Sequence, residues 1–209
     1  MDDTERMTLR PFTGTAADAA LVLALDSDPE VMRWINGGRP TTPGTVRERT
    51  LPRLARRYAC LGGRPGFWAA HRRADGAFLG WFELRPLDAG SAAVLELGYR
   101  LTRAAWGHGY ATEGARALVE AAFTDLGARR VTANTMAVNT GSRRVMEKAG
   151  LRFVRSYTGD WPEAIPGSEH GEVEYALTAP GPAPHPAPHP APDPAPHPAP
   201  AGPDLAPQG

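Results

Sequence analysis

The sequence predicts a mixed α/β domain over residues 1–179, with a mostly antiparallel central sheet and helices on both of its faces. The order of predicted elements is rich in adjacent strands, and helix-like segments lie on both sides of the central motif. The hydrophobic period also changes from 2 to 3.6 across a glycine-rich turn near residue 108. Roughly 180 residues are enough for one hydrophobic core and too few for two ordinary domains.

The first half of the chain is predicted to alternate short strands and helices. Ala74-Asp75-Gly76 lies between two apolar runs, which is typical of a β-hairpin. The expected elements are a strand from Met7 to Phe12, a helix from Ala16 to Leu25, a segment from Val31 to Ile35 after Asp28-Pro29-Glu30, an arginine-rich helix from Thr45 to Tyr58, and hairpin strands from Phe67 to Arg72 and Phe78 to Leu84.

The second half begins with a strand, a turn and a helix. Val94–Leu101 alternates with period 2, as a strand does, and Ala111–Leu126 has apolar residues at helical spacing before Gly127, a natural C-terminal cap. Later strands are expected over Val131–Thr135, Leu151–Tyr157 and Glu172–Leu177. A long loop from Thr158 to Gly171 separates the last two.

The turn between this strand and this helix is expected to bind an anion. Its sequence is Trp106-Gly107-His108-Gly109-Tyr110-Ala111. Its glycines let backbone N–H groups face outward, and the following helix N-terminus adds partial positive charge. Phosphate is the expected ligand. A nucleotide P-loop would need Lys followed by Ser or Thr, where this chain has Thr112 and Glu113. A dinucleotide fold would need its glycines early in the chain and an acid after the next strand.

A second motif follows from Asn139 to Phe153, with the sequence NTGSRRVMEKAGLRF. Together with the Gly98-Tyr99 strand and the WGHGYATE turn, it resembles the GNAT superfamily of acyl-CoA-dependent N-acyltransferases, in particular the branch of ribosomal-protein N-terminal acetyltransferases. The motifs cover residues 92–153. The resemblance implies a GNAT fold and acetyl-CoA as co-substrate.

The resemblance also implies a set of donor-binding residues. Backbone groups of Trp106, Gly107, His108, Gly109, Tyr110 and Ala111 would hold the pyrophosphate, Leu101 and Thr102 would face the pantetheine, and Asn139 would hydrogen-bond it. Strand N–H groups from Gly98 to Leu101 would polarise the thioester carbonyl, where the sheet opens beside the next strand.

Three side chains are candidates for catalysis. Glu96 shares a strand face with Gly98 and Arg100, and a carboxylate in a covered sheet indicates either a cleft-facing general base or an ion pair with a helix arginine. Ser142, which the family motif places near the sulfur, would donate to the departing thiolate; helix capping is its alternative role. Tyr157 is the rival acid. Asp160, Glu163 and Glu172 are further acids for the acceptor site.

Composition excludes several other classes of protein. With 23 basic and 23 acidic side chains the formal charge is zero, so no nucleic-acid or membrane-surface partner is expected. A single cysteine, Cys60, excludes an internal disulfide and has no histidine near it in sequence, so no covalent intermediate is expected. The chain shows no signal peptide or apolar membrane span, and a cytoplasmic location is expected. A homodimer is compatible with the sequence.

Residues 180–209 differ from the rest of the chain. Pro-Ala-Pro-His recurs there with period four, which favours a disordered polyproline II tail. In that helix successive histidines would lie ~12 Å apart and could not converge on one ion. No metal is therefore expected.

These observations lead to one expected function and two alternatives. The chain is expected to transfer acetyl from acetyl-CoA to a primary amine, such as a protein α-amino terminus, directly within a ternary complex. A small-molecule N-acetyltransferase for an antibiotic, polyamine or amino acid is the first alternative. The second is a non-catalytic acyl-CoA-binding regulatory module.

Overall fold

The computed structural model describes residues 3–158 and 164–179. The predicted tail, residues 180–209, and the candidate acids Asp160 and Glu163 lie outside the described residues. None of the helices in the described part of the chain combines the length and the apolar character that a bilayer span requires.

A seven-stranded sheet forms the centre of the described domain. The strands along the chain are β1 (Met7–Pro11), β2 (Arg57–Tyr58), β3 (Arg64–Pro65), β4 (Phe67–Arg72), β5 (Phe78–Asp88), β6 (Ser91–Leu101), β7 (Arg130–Met136), β8 (Arg152–Tyr157) and β9 (Glu172–Thr178). The sheet order is β1-β4-β5-β6-β7-β9-β8, and β2 pairs with β3 in a separate ribbon. Neighbours in the large sheet are antiparallel except β6 and β7, which run parallel. The predicted fold class is confirmed.

Helices cover both faces of this sheet. They are α1 (Ala16–Asp26), α2 (Pro29–Asn36), α3 (Pro43–Thr45), α4 (Leu51–Leu54), α5 (Tyr110–Thr124) and α6 (Thr140–Lys148). Leu118 of α5 and Met146 of α6 belong to one buried apolar cluster, with Phe82 of the sheet. Leu25 of α1 and Leu54 of α4 belong to a second cluster. The alternation of side chains along β4 and β5 supplies both clusters.

The helix predicted from Thr45 to Tyr58 is wrong at its C-terminal end and irregular within. Helical backbone stops at Leu54, and Arg57–Tyr58 forms β2 instead. Between α3 and α4 the chain widens into a π-helical turn over Val46–Thr50, closed by a bond from Leu51 N–H to the Val46 carbonyl. Pro52 explains the widening, because it has no N–H to donate and its ring crowds the preceding turn.

The hairpin at Ala74-Asp75-Gly76 is confirmed, but its second strand is longer than predicted. β5 continues past Leu84 to Asp88 and pairs with β6, with a register shift near Pro86. Proline normally marks the end of a ladder, so the sequence underestimates this strand. The extension brings Arg85 opposite Glu96.

Helix α5 lies unusually close to β5. A Cβ built on Gly114 would lie 2.2 Å from Cζ of the buried Phe82 ring. Only glycine fits at this crossing, so Gly114 sets how deeply α5 sits on the sheet. Its depth in turn fixes where the turn before α5 lies relative to β6.

Candidate active site

The sheet opens between β6 and β7, and the opening is the centre of the candidate site. The two strands pair only from Val94 to Glu96, opposite residues 130–132, and then diverge. A cleft of about 1150 Å³ fills the gap, with walls formed by residues 97–101 and 134–136. Because it runs between the strands, groups from both faces of the sheet reach it.

The turn before α5 forms one end of this cleft and is built to receive an anion. Gly107 and Gly109 have positive φ values of 76° and 83°, and Gly109 occupies the N-cap position of α5. The first helical bond is donated by Glu113 N–H to the Gly109 carbonyl. Within the described residues, the N–H groups from Gly107 to Thr112 have no hydrogen-bond acceptor. Such a row of free donors at a helix N-terminus suits a phosphate.

Thr4 and Arg6, near the N-terminus, form hydrogen bonds with this turn and with the first turn of α5. The Arg6 guanidinium donates from Nε to Glu113 Oε2 at 2.6 Å and from Nη1 to the His108 carbonyl at 3.0 Å. It also stacks over the Tyr110 ring, 4.6 Å from the centroid. Thr4 adds a hydroxyl bond to Glu113 Oε1 at 2.6 Å. These hydrogen bonds and the Arg6 charge hold the pKa of Glu113 below its ordinary value, against the opposing effect of burial.

The residues expected at the donor site divide into two groups. Leu101, Trp106, Gly107, Gly109, Ala111 and Asn139 line the cleft, whereas Thr102, His108 and Tyr110 do not. Tyr110 packs into the core, His108 is exposed, and the Thr102 N–H donates to the Leu79 carbonyl of β5. Any contribution of His108 and Tyr110 to this end of the cleft must therefore come from their backbone groups.

Asn139 and Ser142 meet at the N-terminus of α6. Asn139 Oδ1 accepts from Ser142 N–H at 3.1 Å, and its Nδ2 donates to Thr135 Oγ1 at 3.1 Å. Asn139 is therefore the helix cap. The Ser142 hydroxyl lies 3.0 Å from the Tyr99 hydroxyl, which also bonds the Ser142 carbonyl at 2.9 Å. Burial raises the pKa of Tyr99, so this phenol stays protonated and can support Ser142.

Tyr157 lies on the opposite wall, between two polar partners. Its hydroxyl is 2.7 Å from Glu172 Oε2 and 3.1 Å from Asn134 Oδ1, both of which are acceptors. Burial, and secondarily the neighbouring Glu172, raise the pKa of Tyr157. The Tyr157 hydroxyl therefore donates its proton to Glu172 or to Asn134.

Glu96 lies where β6 and β7 diverge; within the described residues its expected ion pair with a helix arginine does not form, and its role as a general base stays a prediction. It lines the cleft and it also forms an ion pair with Arg85, an arginine of the neighbouring strand rather than of a helix. Asn134 Nδ2 approaches its other oxygen at 3.5 Å. Arg85 reaches a second carboxylate through Nε, 2.5 Å from Glu83 Oε1.

Glu83 is a site residue that sequence reasoning missed. Its strand, FLGWFEL, is dominated by apolar residues, which hides one acid among core positions. Glu83 is 8% exposed as a whole residue and its carboxylate lies beside Gly98, and burial raises the pKa of Glu83 despite the nearby Arg85 and Arg53. The signal that could have found it is the glycine directly opposite in the neighbouring strand.

The remaining sequence candidates lie elsewhere. Cys60 is a free, partly buried thiol in a short turn over Ala59–Leu61 and does not line the cleft. No histidine of the described residues lines it either. In the same part of the chain, no cluster of three or more His, Cys, Asp or Glu side chains could hold a metal ion. The chemistry available in the cleft is that of carboxylates, hydroxyls, amides, backbone donors and the cationic side chains of Arg53, Arg85, Arg100, Arg144 and Lys148.

Known proteins resemble this chain in sequence and fold. The family profile described as "Acetyltransferase (GNAT) domain" matches residues 6–152. FsC-acetyl coenzyme A-N(2)-transacetylase from Aspergillus fumigatus is 36% identical over 162 residues, which are 75% of this chain and 67% of the relative. A Bacillus subtilis protein named "Putative ribosomal N-acetyltransferase YdaF" is 28% identical over 175 residues, covering 83% and 91%. A GNAT-family acetyltransferase structure from Bacillus anthracis superposes with a TM-score of 0.67 at 23% identity, covering 84% and 96%.

Proposed function

The chain belongs to the GNAT family of acetyl-CoA-dependent N-acetyltransferases, and on that premise we propose that it acetylates an α-amino group or a similarly weak primary amine by direct transfer in a ternary complex. Membership of an enzyme family disfavours the non-catalytic acyl-CoA-binding alternative. The observation that carries the proposal is the single cleft that joins the free N–H groups before α5 to the carboxylates beside β6.

The donor end of the cleft fits acetyl-CoA. Free N–H groups from Gly107 to Thr112 would hold the pyrophosphate, and the pantetheine would run between the diverging strands past Leu101. The thioester would then lie against the unpaired edge of β6 near Gly98, with Ser142 on the α6 side to donate a hydrogen bond to the departing thiolate. Tyr157 is the rival proton donor.

The acceptor end supports a weakly basic amine. Because the described lining contains no histidine, a carboxylate must receive the ammonium proton. Measured against an ordinary Glu pKa of ~4.3, the mismatch is about 3.5 units for an α-amino group at ~7.8 and about 6 units for lysine at ~10.4. At ~1.36 kcal/mol per unit, a lysine costs about 3.5 kcal/mol more to deprotonate. An α-amine is therefore the favoured acceptor.

Direct transfer is supported by where the only thiol of the chain lies. Cys60 does not line the cleft, so it is not in place to accept the acetyl group as a covalent intermediate. The acceptor can instead approach the thioester from the α2 side, where Glu30 and Trp34 form part of the cleft wall.

A panel of amines tests this proposal. Thiol release from acetyl-CoA is measured with a lysine-free peptide that has a free N-terminus, with the same peptide N-blocked and carrying one lysine, and with a polyamine, and mass spectrometry confirms acetylated products. We expect the free N-terminus to react at least tenfold faster than the lysine. Faster acetylation of the lysine peptide would refute the acceptor argument, and faster acetylation of the polyamine would favour the small-molecule alternative.

A further inference from the structure

Glu83 is a buried charge in an unusual place. It lies in the middle of β5, between Phe82 and Leu84, both of which are fully buried on the opposite face of the sheet. A carboxylate at such a position is costly unless it is compensated, so its presence calls for an explanation beyond packing. Ten per cent of the side chain remains exposed.

The neighbouring strand makes room for this carboxylate. Gly98 of β6 pairs directly with Glu83, and a Cβ built on Gly98 would lie 2.7 Å from Glu83 Oε2 and 3.2 Å from the Glu83 Cβ. The absent side chain lets Oε2 lie across the strand backbone, just past the point where β6 has parted from β7. Under the proposed function, this is the edge against which the thioester lies.

The charged groups around Glu83 leave one of its oxygens available. Arg85 binds Oε1, Arg53 and Glu96 act on the carboxylate at longer range, and no residue of the described chain hydrogen-bonds Oε2. Glu96, by contrast, is engaged through both oxygens, by Arg85 and by Asn134. Burial also raises the pKa of Glu83, in the direction that an efficient base toward an ammonium requires.

We propose that Glu83 Oε2 receives the proton of the acceptor ammonium, and that Arg85 and Glu96 position it. This assignment rests on the proposed function. Glu83 takes one proton from the ammonium, directly or through water, and releases it to solvent. The neutral nitrogen attacks the thioester carbon, a C–N bond forms, and the C–S bond breaks with its electron pair leaving on sulfur. The second proton lost by the nitrogen ends on the thiolate as the free thiol of CoA.

Two matched substitutions test the assignment, Glu83→Gln and Glu96→Gln. With an α-amino peptide near neutral pH, Glu83→Gln should lower kcat/KM by 10²- to 10³-fold, the range of general base catalysis, and this loss should shrink at higher pH, where the free amine is already neutral. Glu96→Gln should cost less than tenfold across the same pH range. A hydrazide acceptor, which is already neutral at the assay pH, should recover most of the loss in Glu83→Gln. CoA affinity measured by calorimetry should stay within threefold in both variants.

Gly98→Ala provides an independent variant with Glu83 left intact. Its new methyl group would displace the carboxylate, so we expect at least a tenfold loss of kcat/KM with CoA affinity retained. A Glu83→Gln enzyme within threefold of wild type, or an equal loss in Glu96→Gln with no hydrazide recovery in Glu83→Gln, would overturn the assignment. Failure of the proposed function would look different, because the unaltered enzyme would then bind CoA and acetylate no α-amine.

Discussion

Arg6 is predicted to control CoA affinity by neutralising an acid next to the pyrophosphate site. Glu113 lies in the first turn of α5, where its carboxylate would repel a bound phosphate. Arg6 binds that carboxylate through its side chain and its backbone N–H, at 2.6 and 2.9 Å, and the Glu113 side chain is only 18% exposed. Arg6→Gln removes the compensating charge and leaves the carboxylate beside the helix N-terminus.

The magnitude follows from the charges. Two unit charges ~8 Å apart, with an effective dielectric constant of ~40, repel by about 1 kcal/mol. With about two negative charges on the pyrophosphate, CoA would therefore lose about 2 kcal/mol of binding free energy, and its Kd would rise about thirtyfold. Glu113→Gln removes the repulsion and leaves the Arg6 charge unopposed, so it should lower the Kd by a comparable factor.

A double-mutant cycle read by calorimetric titration with CoA checks this reasoning. We expect Arg6→Gln to raise the Kd by 10- to 50-fold, Glu113→Gln to lower it by a similar factor, and the double variant to bind CoA within about threefold of the unaltered protein, because the two charge effects add and cancel. Salt should reduce both single-variant effects, because screening weakens them. An Arg6→Gln variant with an unchanged Kd, or a Glu113→Gln variant with a raised one, would refute the argument.

Three further predictions concern stability. Gly114→Ala should destabilise the fold by about 1–3 kcal/mol through its overlap with Phe82, although helix propensity alone favours alanine by ~1 kcal/mol; a higher urea midpoint would contradict this. A chain ending at Ala179 should keep the melting temperature and CoA affinity of the full chain, and a large drop in either would show that residues 180–209 dock on the domain. Because burial raises the pKa of Glu83, the folded state keeps this proton where the unfolded chain has lost it, so the group's stabilising contribution falls as pH rises above ~4.3. Glu83→Gln should flatten that fall in melting temperature, and an unchanged slope would argue against the pKa shift.

Local patterns predicted the elements whose signals are contained within a few residues. The change of hydrophobic period on either side of Gly107 and Gly109 located β6, the turn and α5, because period and glycine conformation are local properties. The helix expected up to Tyr58 failed for the opposite reason. Its last residues pair with Arg64–Pro65 in a ribbon, and a tertiary pairing overrode the helical pattern.

Some site residues could be predicted and others could not, because the others depend on contacts between distant parts of the chain. Glu96 was a candidate because the period-2 alternation of its strand places a carboxylate on one face with Gly98 and Arg100, which is a local pattern. Glu83 was missed because its role depends on the register that places it opposite Gly98, fifteen positions along the chain, and no local pattern fixes that pairing. The contact of Tyr99 with Ser142 likewise depends on how α6 packs against β6.

The central claim, that the turn before α5 holds the pyrophosphate of CoA, is tested most directly by Gly109→Glu. The substitution strains a residue with φ of 83° and adds a carboxylate beside Arg6, which Glu113 already neutralises, so the turn becomes more negative. Losing two or three charge-assisted bonds of ~1.5–3 kcal/mol each should weaken CoA binding by a hundredfold or more. Calorimetric titration with CoA, beside a circular dichroism melt that shows a cooperative transition, gives the answer. A folded Gly109→Glu variant with unchanged CoA affinity would contradict the account.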